Sequence, residues 1–142
     1  MSRKYEKEDD VLDLVRAFED ASIPRDEWTH AEHLIVALYY VSHHDIDTAI
    51  EKMRTGILNL LAYGFKVDLG KEMPYHETIT VFWIRTVAAF DASSKGKPLG
   101  DKIREMVNTL NKDHIFSCYT RELLFSDEAR RGFITGDIQR SK

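Results

Sequence analysis

The chain has 142 residues and is 43% hydrophobic, enough for one domain to close a single core without disulfides or a structural metal. Its 24 acidic residues outnumber its 20 basic ones, for a formal charge of -4, a balance that argues against nucleic acid as the main partner. Cys118 is the only cysteine, so an intramolecular disulfide is excluded and a reducing compartment, the cytoplasm, is expected. The N-terminus is polar, and the longest apolar run, Leu34 to Val41, is too short to span a bilayer, so neither export signal nor membrane anchor is expected.

In chain order, a charged arm over residues 1–9 precedes Val11, Leu12, Leu14, Val15 and Phe18, whose three-and-four spacing predicts a short amphipathic helix. It should end before Ile23-Pro24. Thr29 and Glu32 then fit a capping box, which starts a helix at His30. His30, His33, Leu34, Ala37, Leu38 and Val41 share its inner face. This helix should stop near Ser42-His43-His44, with Asp45 or Asp47 capping the next. Ile46, Ala49, Ile50, Met53, Ile57, Leu60 and Leu61 form the apolar face of that third helix, and Tyr63-Gly64 reads as its end.

Residues 65–73 show no period and read as a loop. A helix is expected from Pro74 or Tyr75 to Phe90, with His76, Ile79, Thr80, Trp83, Val87 and Phe90 inward and Glu77 about 100° round. Residues 91–98 form a solvent loop. Leu99, Ile103, Met106, Val107 and Leu110 predict a fifth helix, and residues 116–134 one or two short ones, with Ser126 a good start. No alternating strand pattern occurs. The expectation is a single all-α domain, a compact bundle of about five main helices plus short C-terminal ones, with residues 137–142 a flexible tail.

Two helix beginnings stand out, Trp28-Thr29-His30-Ala31-Glu32-His33-Leu34 and Tyr75-His76-Glu77-Thr78-Ile79-Thr80. Residues three apart on a helix share a face and can converge on one cation at about 2 Å. His30 and His33 have that spacing, and His76 would be the third ligand of an open divalent site for Zn, Fe, Mn or Ni. Glu77, as a further ligand or a general base, and His76 would carry catalysis. Arg121 would orient an anionic substrate, among Trp28, Tyr75, Thr80 and Tyr119 as aromatic or polar walls. Arg85, on another face of the helix that carries His76, is a second candidate for an anion.

A plainer reading has His30 hydrogen-bonded in a polar layer at the end of the bundle and Glu32 explained by capping. The His-Glu pair does not extend to a zinc-protease motif because position 80 is Thr, and no phosphate loop or nucleophile elbow is present. Cys118 reads as a packed thiol, His43-His44 as favourable to a helix end, and His114 as a loop residue without a role.

Those two segments, with Tyr119-x-Arg121-x-x-Leu124-Phe125-Ser126-x-x-Ala129-Arg130, resemble a family of small uncharacterised bacterial proteins over about Phe18 to Asp137. The resemblance implies one helical domain in which the three segments belong together, and no activity. More loosely, the chain is similar to DinB-type metal-binding four-helix proteins, which place three histidines on bundle helices, although the spacings here depart from theirs. The functional expectation is a metal-dependent enzyme, a hydrolase or lyase, acting on a small polar or anionic substrate. The alternative is a metal-free module that binds a small molecule or a partner, with the histidines in hydrogen-bonding or acid/base roles.

Overall fold

The computed structural model describes residues 5–138, and the chain is all-α. Its helices are α1 (Glu8–Glu19), α2 (His30–His43), α3 (Ile46–Asn59), α4 (Glu77–Ser93), α5 (Leu99–Thr109), α6 (Arg121–Leu124) and α7 (Asp127–Arg131). Short 3-10 turns cover Arg25–Glu27 and His114–Ser117. Residues 1–4 of the expected arm and 139–142 of the expected tail lie outside the described residues.

α2 is the centre of the bundle. Five consecutive residues, Leu34 to Leu38, are buried together with Tyr40, and a helix apolar all round must be enclosed by neighbours. α1, α3, α4 and α5 enclose it, while α4 also packs on α3 and α7. The predicted capping box is present, with Glu32 accepting from the Thr29 amide at 3.2 Å and from the Thr29 hydroxyl. Asp45 caps α3 through the Thr48 amide at 2.8 Å. Ser126 caps α7 through the Ala129 amide at 3.2 Å.

Several boundaries differ from the sequence reading, each for a local reason. α1 already begins at Glu8 because the Asp10 carboxylate accepts from the Lys7 amide at 3.2 Å, and the Tyr5 hydroxyl donates to Glu32 at 2.9 Å. Part of the expected flexible arm is therefore structured. α3 ends at Asn59 and runs into a π turn over Leu60–Gly64, closed by the Phe65 amide on the Leu60 carbonyl at 2.8 Å. Ile46, placed on the apolar face in the sequence, is 43% exposed at the first position of α3. Pro74 does not open α4. The chain remains extended to His76, which is the N-cap, its Nδ1 accepting from the Ile79 amide at 3.3 Å.

α1 meets α3 at Phe18 and Gly56. The Phe18 ring is fully buried, stacked on Trp28 at 4.8 Å, and a Cβ on Gly56 would overlap its Cε2 and Cζ atoms. In an open helix Gly56→Ala would stabilise by about 1 kcal/mol through backbone entropy. Against an enclosed ring the overlap dominates, and overpacking of this kind costs about 1–3 kcal/mol. Gly56→Ala should therefore lower the urea midpoint with an unchanged slope; a raised midpoint would show that the ring can move aside.

Candidate functional site

Each of the two predicted helix beginnings is built around a histidine that ties one helix end to another. The last carbonyls of a helix lack intrahelical donors, and in a small bundle they meet side chains from neighbouring ends. His30 Nε2 bonds the Leu110 carbonyl at the C-cap of α5, at 2.8 Å. His76 Nε2 bonds the carbonyl of Leu124, the last residue of α6, at 2.6 Å. Because His76 Nδ1 accepts from Ile79, its proton resides on Nε2 and both ring nitrogens are engaged. Burial pulls the His76 pKa below the ordinary value against the raising effect of the Leu124 bond, and the nearby Arg130 charge adds to the lowering.

His33 is different. It packs against Trp28 at 5.8 Å, and its sealed Nε2 has no hydrogen-bond partner among the described residues. Burial, helped by His30, pushes its pKa down to about 4. The expected ligand set His30, His33 and His76 is not assembled: among the described residues no three His, Cys, Asp or Glu side chains form a group that could hold a metal ion. Two of the three histidines instead spend a ring nitrogen on a backbone carbonyl.

Glu77, expected as base or ligand, is held by Arg54 of α3 through Nε to Oε1 at 3.0 Å and Nη2 to Oε2 at 2.6 Å. The Tyr75 hydroxyl donates to the same carboxylate at 2.6 Å. The Arg54 bonds hold its pKa below the ordinary carboxylate value despite partial burial, so it is a fixed anion and a poor base. Thr80 is buried with its hydroxyl on the His76 carbonyl at 3.1 Å. Tyr119 donates its hydroxyl to the Ile134 carbonyl. Trp28 stacks on Phe18. Arg121 lies over Phe116, 4.2 Å from the ring centroid, and is exposed.

An open cleft lies one layer away, on the outer face of α4. Phe82, Arg85, Thr86 and Ala89 of α4, His114 and Cys118 from the turn before α6, and Phe133 beyond α7 line about 360 Å³. Aromatic contacts connect it to the predicted site: His30 packs edge-on against Trp83 at 4.8 Å, and Trp83 touches both Phe82 at 5.1 Å and His114 at 6.1 Å. The two predicted helix beginnings lie in the layer behind the cleft. Of the cleft residues, the sequence marks only Arg85 as a candidate for an anion, with Cys118 a packed thiol and His114 a loop residue without a role. The available signal was the second row on α4, Phe82, Thr86 and Ala89 at four- and three-residue spacing, which leaves that helix apolar beyond one core-facing stripe.

Phe133 is brought to the cleft by Thr78. That buried hydroxyl donates to the Gly132 carbonyl at 2.9 Å and accepts from the Ile134 amide at 3.1 Å. Farther along, Asp137 accepts from the Thr120 amide at 2.8 Å and hydroxyl at 2.7 Å, and the Ile138 amide donates to the Cys118 carbonyl at 3.0 Å. The expected tail is therefore anchored at its first two residues. A second cleft of about 350 Å³ lies between α1 and the turn after it, with Tyr5, Asp10, Asp13 and Glu27 among its walls.

No protein-family profile, curated protein or solved structure matches this chain. No described helix is long and apolar enough to cross a membrane.

Two outcomes test the histidine roles. His76→Ala leaves the Leu124 carbonyl and the Ile79 amide unpaired and should cost about 2 kcal/mol of stability, read by urea denaturation; an unchanged midpoint would mean that water replaces the ring. His33 stays neutral in the folded state down to about pH 4, whereas in the unfolded chain it gains a proton near the ordinary histidine value of about 6.5. Its contribution is full above pH 6.5 and is lost as pH falls to 4, up to about 3 kcal/mol. His33→Leu should flatten the stability profile over that window, and an equally steep profile would place the acid sensitivity elsewhere.

Proposed function

We propose that this protein is a metal-free small-molecule-binding module and that the cleft on α4 is its ligand site. The observation that carries this reading is the combination, around one cleft of about 360 Å³, of two phenyl rings and an arginine that no carboxylate among the described residues pairs with. Small-molecule sites are concave, mostly apolar and provided with few polar groups, and volumes from about 300 Å³ upward are typical. The histidine pair supports the same reading from the other side. Ring nitrogens committed to helix-end carbonyls have a structural task, and a metal would have to compete with those bonds.

Ligand binding to the folded state alone raises the melting temperature by linkage. At a hundredfold excess over Kd the gain is about 2.7 kcal/mol, or roughly 5–10 °C for a domain of this size. Screening a metabolite panel by thermal shift should give at least one such compound, and its effect should vanish in Ala89→Trp, which fills the cleft from an exposed position. A stabiliser that acts equally on Ala89→Trp would place the site elsewhere. Elemental analysis of the untagged protein after metal loading and desalting checks the metal-free part. About one retained Zn, Fe, Mn or Ni per chain, lost in His30→Ala, would return the histidines to the ligand role.

A further inference from the structure

The charge pattern of the two cavities narrows the ligand class, on the reading that the α4 cleft is the binding site. Although the chain is net acidic, none of the seven described residues lining that cleft is acidic. The other cleft carries Asp10, Asp13 and Glu27, so an anion is drawn to the first and repelled from the second. Arg85 is the cationic wall. Among the described residues no carboxylate pairs with it, and its guanidinium lies 4.7 Å from the Phe133 ring centroid.

That stack determines what the arginine can do next. A guanidinium lying over a ring uses its face for the cation-π contact and keeps its in-plane N–H groups for hydrogen bonding. Those N–H groups match the two oxygens of a carboxylate, and the pair is charge-assisted and bidentate. Thr86, one position along α4, lines the same cavity and adds a hydroxyl. Phosphate sites, in contrast, commonly use the free N–H groups at a helix N-terminus. Phe82, Arg85, Thr86 and Ala89 lie on the middle and later turns of α4 (Glu77–Ser93), where the amides are spent inside the helix. Phe82, Phe133 and Ala89 supply an apolar wall for the body of the ligand, and phenyl rings favour a flat partner through offset or edge contacts.

We infer that the α4 cleft binds a small aromatic monocarboxylate, its carboxylate on the Arg85 fork and its ring against Phe82 and Phe133. The test compares 2-naphthoate with 2-naphthamide, which has nearly the same shape without the charge, and with phenyl phosphate. Binding is read by titration calorimetry on the full chain and on Arg85→Gln, Arg85→Lys and Ala89→Trp. The expected result is saturable 2-naphthoate binding at least tenfold tighter than that of the amide. Arg85→Gln should bring the acid down to the level of the amide, and Arg85→Lys, which keeps charge but loses the fork, should fall between.

Equal binding of acid and amide, both lost in Ala89→Trp, would overturn the carboxylate assignment while leaving the cleft as the ligand site. Tighter binding of phenyl phosphate than of 2-naphthoate would replace carboxylate by phosphoryl recognition. Binding of 2-naphthoate that survives Ala89→Trp, or no binding of any of the three compounds, would overturn the carboxylate inference. In either case the metabolite screen decides separately whether the cleft binds anything. The acid-to-amide ratio on the unaltered protein keeps the comparison valid even if Arg85→Gln loosens the Phe133 segment.

Discussion

The arrangement depends on a constraint at the ends of helices: carbonyls that have no intrahelical donor must find one elsewhere if the bundle is to close over them. Here the donors are imidazoles. Leu110 and Leu124, at the ends of α5 and α6, are both buried, and His30 and His76 reach their carbonyls from the beginnings of α2 and α4. Each bond joins segments far apart in sequence, so two helix beginnings on the central pair fix where the C-terminal third of the chain must lie. An imidazole suits this task because it donates from one nitrogen while the other accepts, as His76 does in capping its own helix. Accepting at Nδ1 requires the neutral ring, and the burial of His76 favours it.

A second tie works at the other side of α4. Arg54 and Glu77 make a two-point ion pair between α3 and α4, with Tyr75 completing the carboxylate's shell. Partly buried pairs of this kind contribute little net stability compared with apolar contacts, but they restrict register. With His76 holding α6 and Glu77 holding α3, the first turn of α4 is oriented from both directions. The apolar remainder of the helix then divides into a face toward α2 and α3 and a face toward the cleft.

What the sequence made legible follows from the range of each interaction. The capping box at Thr29 and Glu32, the caps at Asp45 and Ser126 and the apolar stripes are local, so spacing within a few residues suffices to place them. The inward direction of His30 and His76 was also readable from periodicity, but their partners were not, because Leu110 and Leu124 are backbone acceptors 80 and 48 residues away. A backbone carbonyl leaves no mark in side-chain sequence, and a pair of inward histidines consequently looks like a ligand set. Arg54 stands off the apolar face of α3, and nothing near it in sequence identifies Glu77 as its partner. The start of α4 was misplaced by two or three residues because proline is a common first helical residue, whereas an imidazole acceptor at the N-cap outcompetes that preference here.

The cleft was the least legible feature, and the reason lies in how its walls are held. Phe82, Arg85 and Thr86 come from α4 directly, whereas Phe133 belongs to an extended segment with no periodicity to announce it. That segment is positioned by Thr78, whose one hydroxyl bonds the carbonyl before Phe133 and the amide after it. Thr78 is itself on α4, about one turn before Phe82. Phe133 and the α4 walls are therefore referenced to a single helix, and relative motion of the other helices need not change the distance between them. Tyr119 and Thr120 add attachments on the far side through Ile134 and Asp137. A cleft framed in this way needs little ordering of its walls, which would leave more of any binding free energy for contacts.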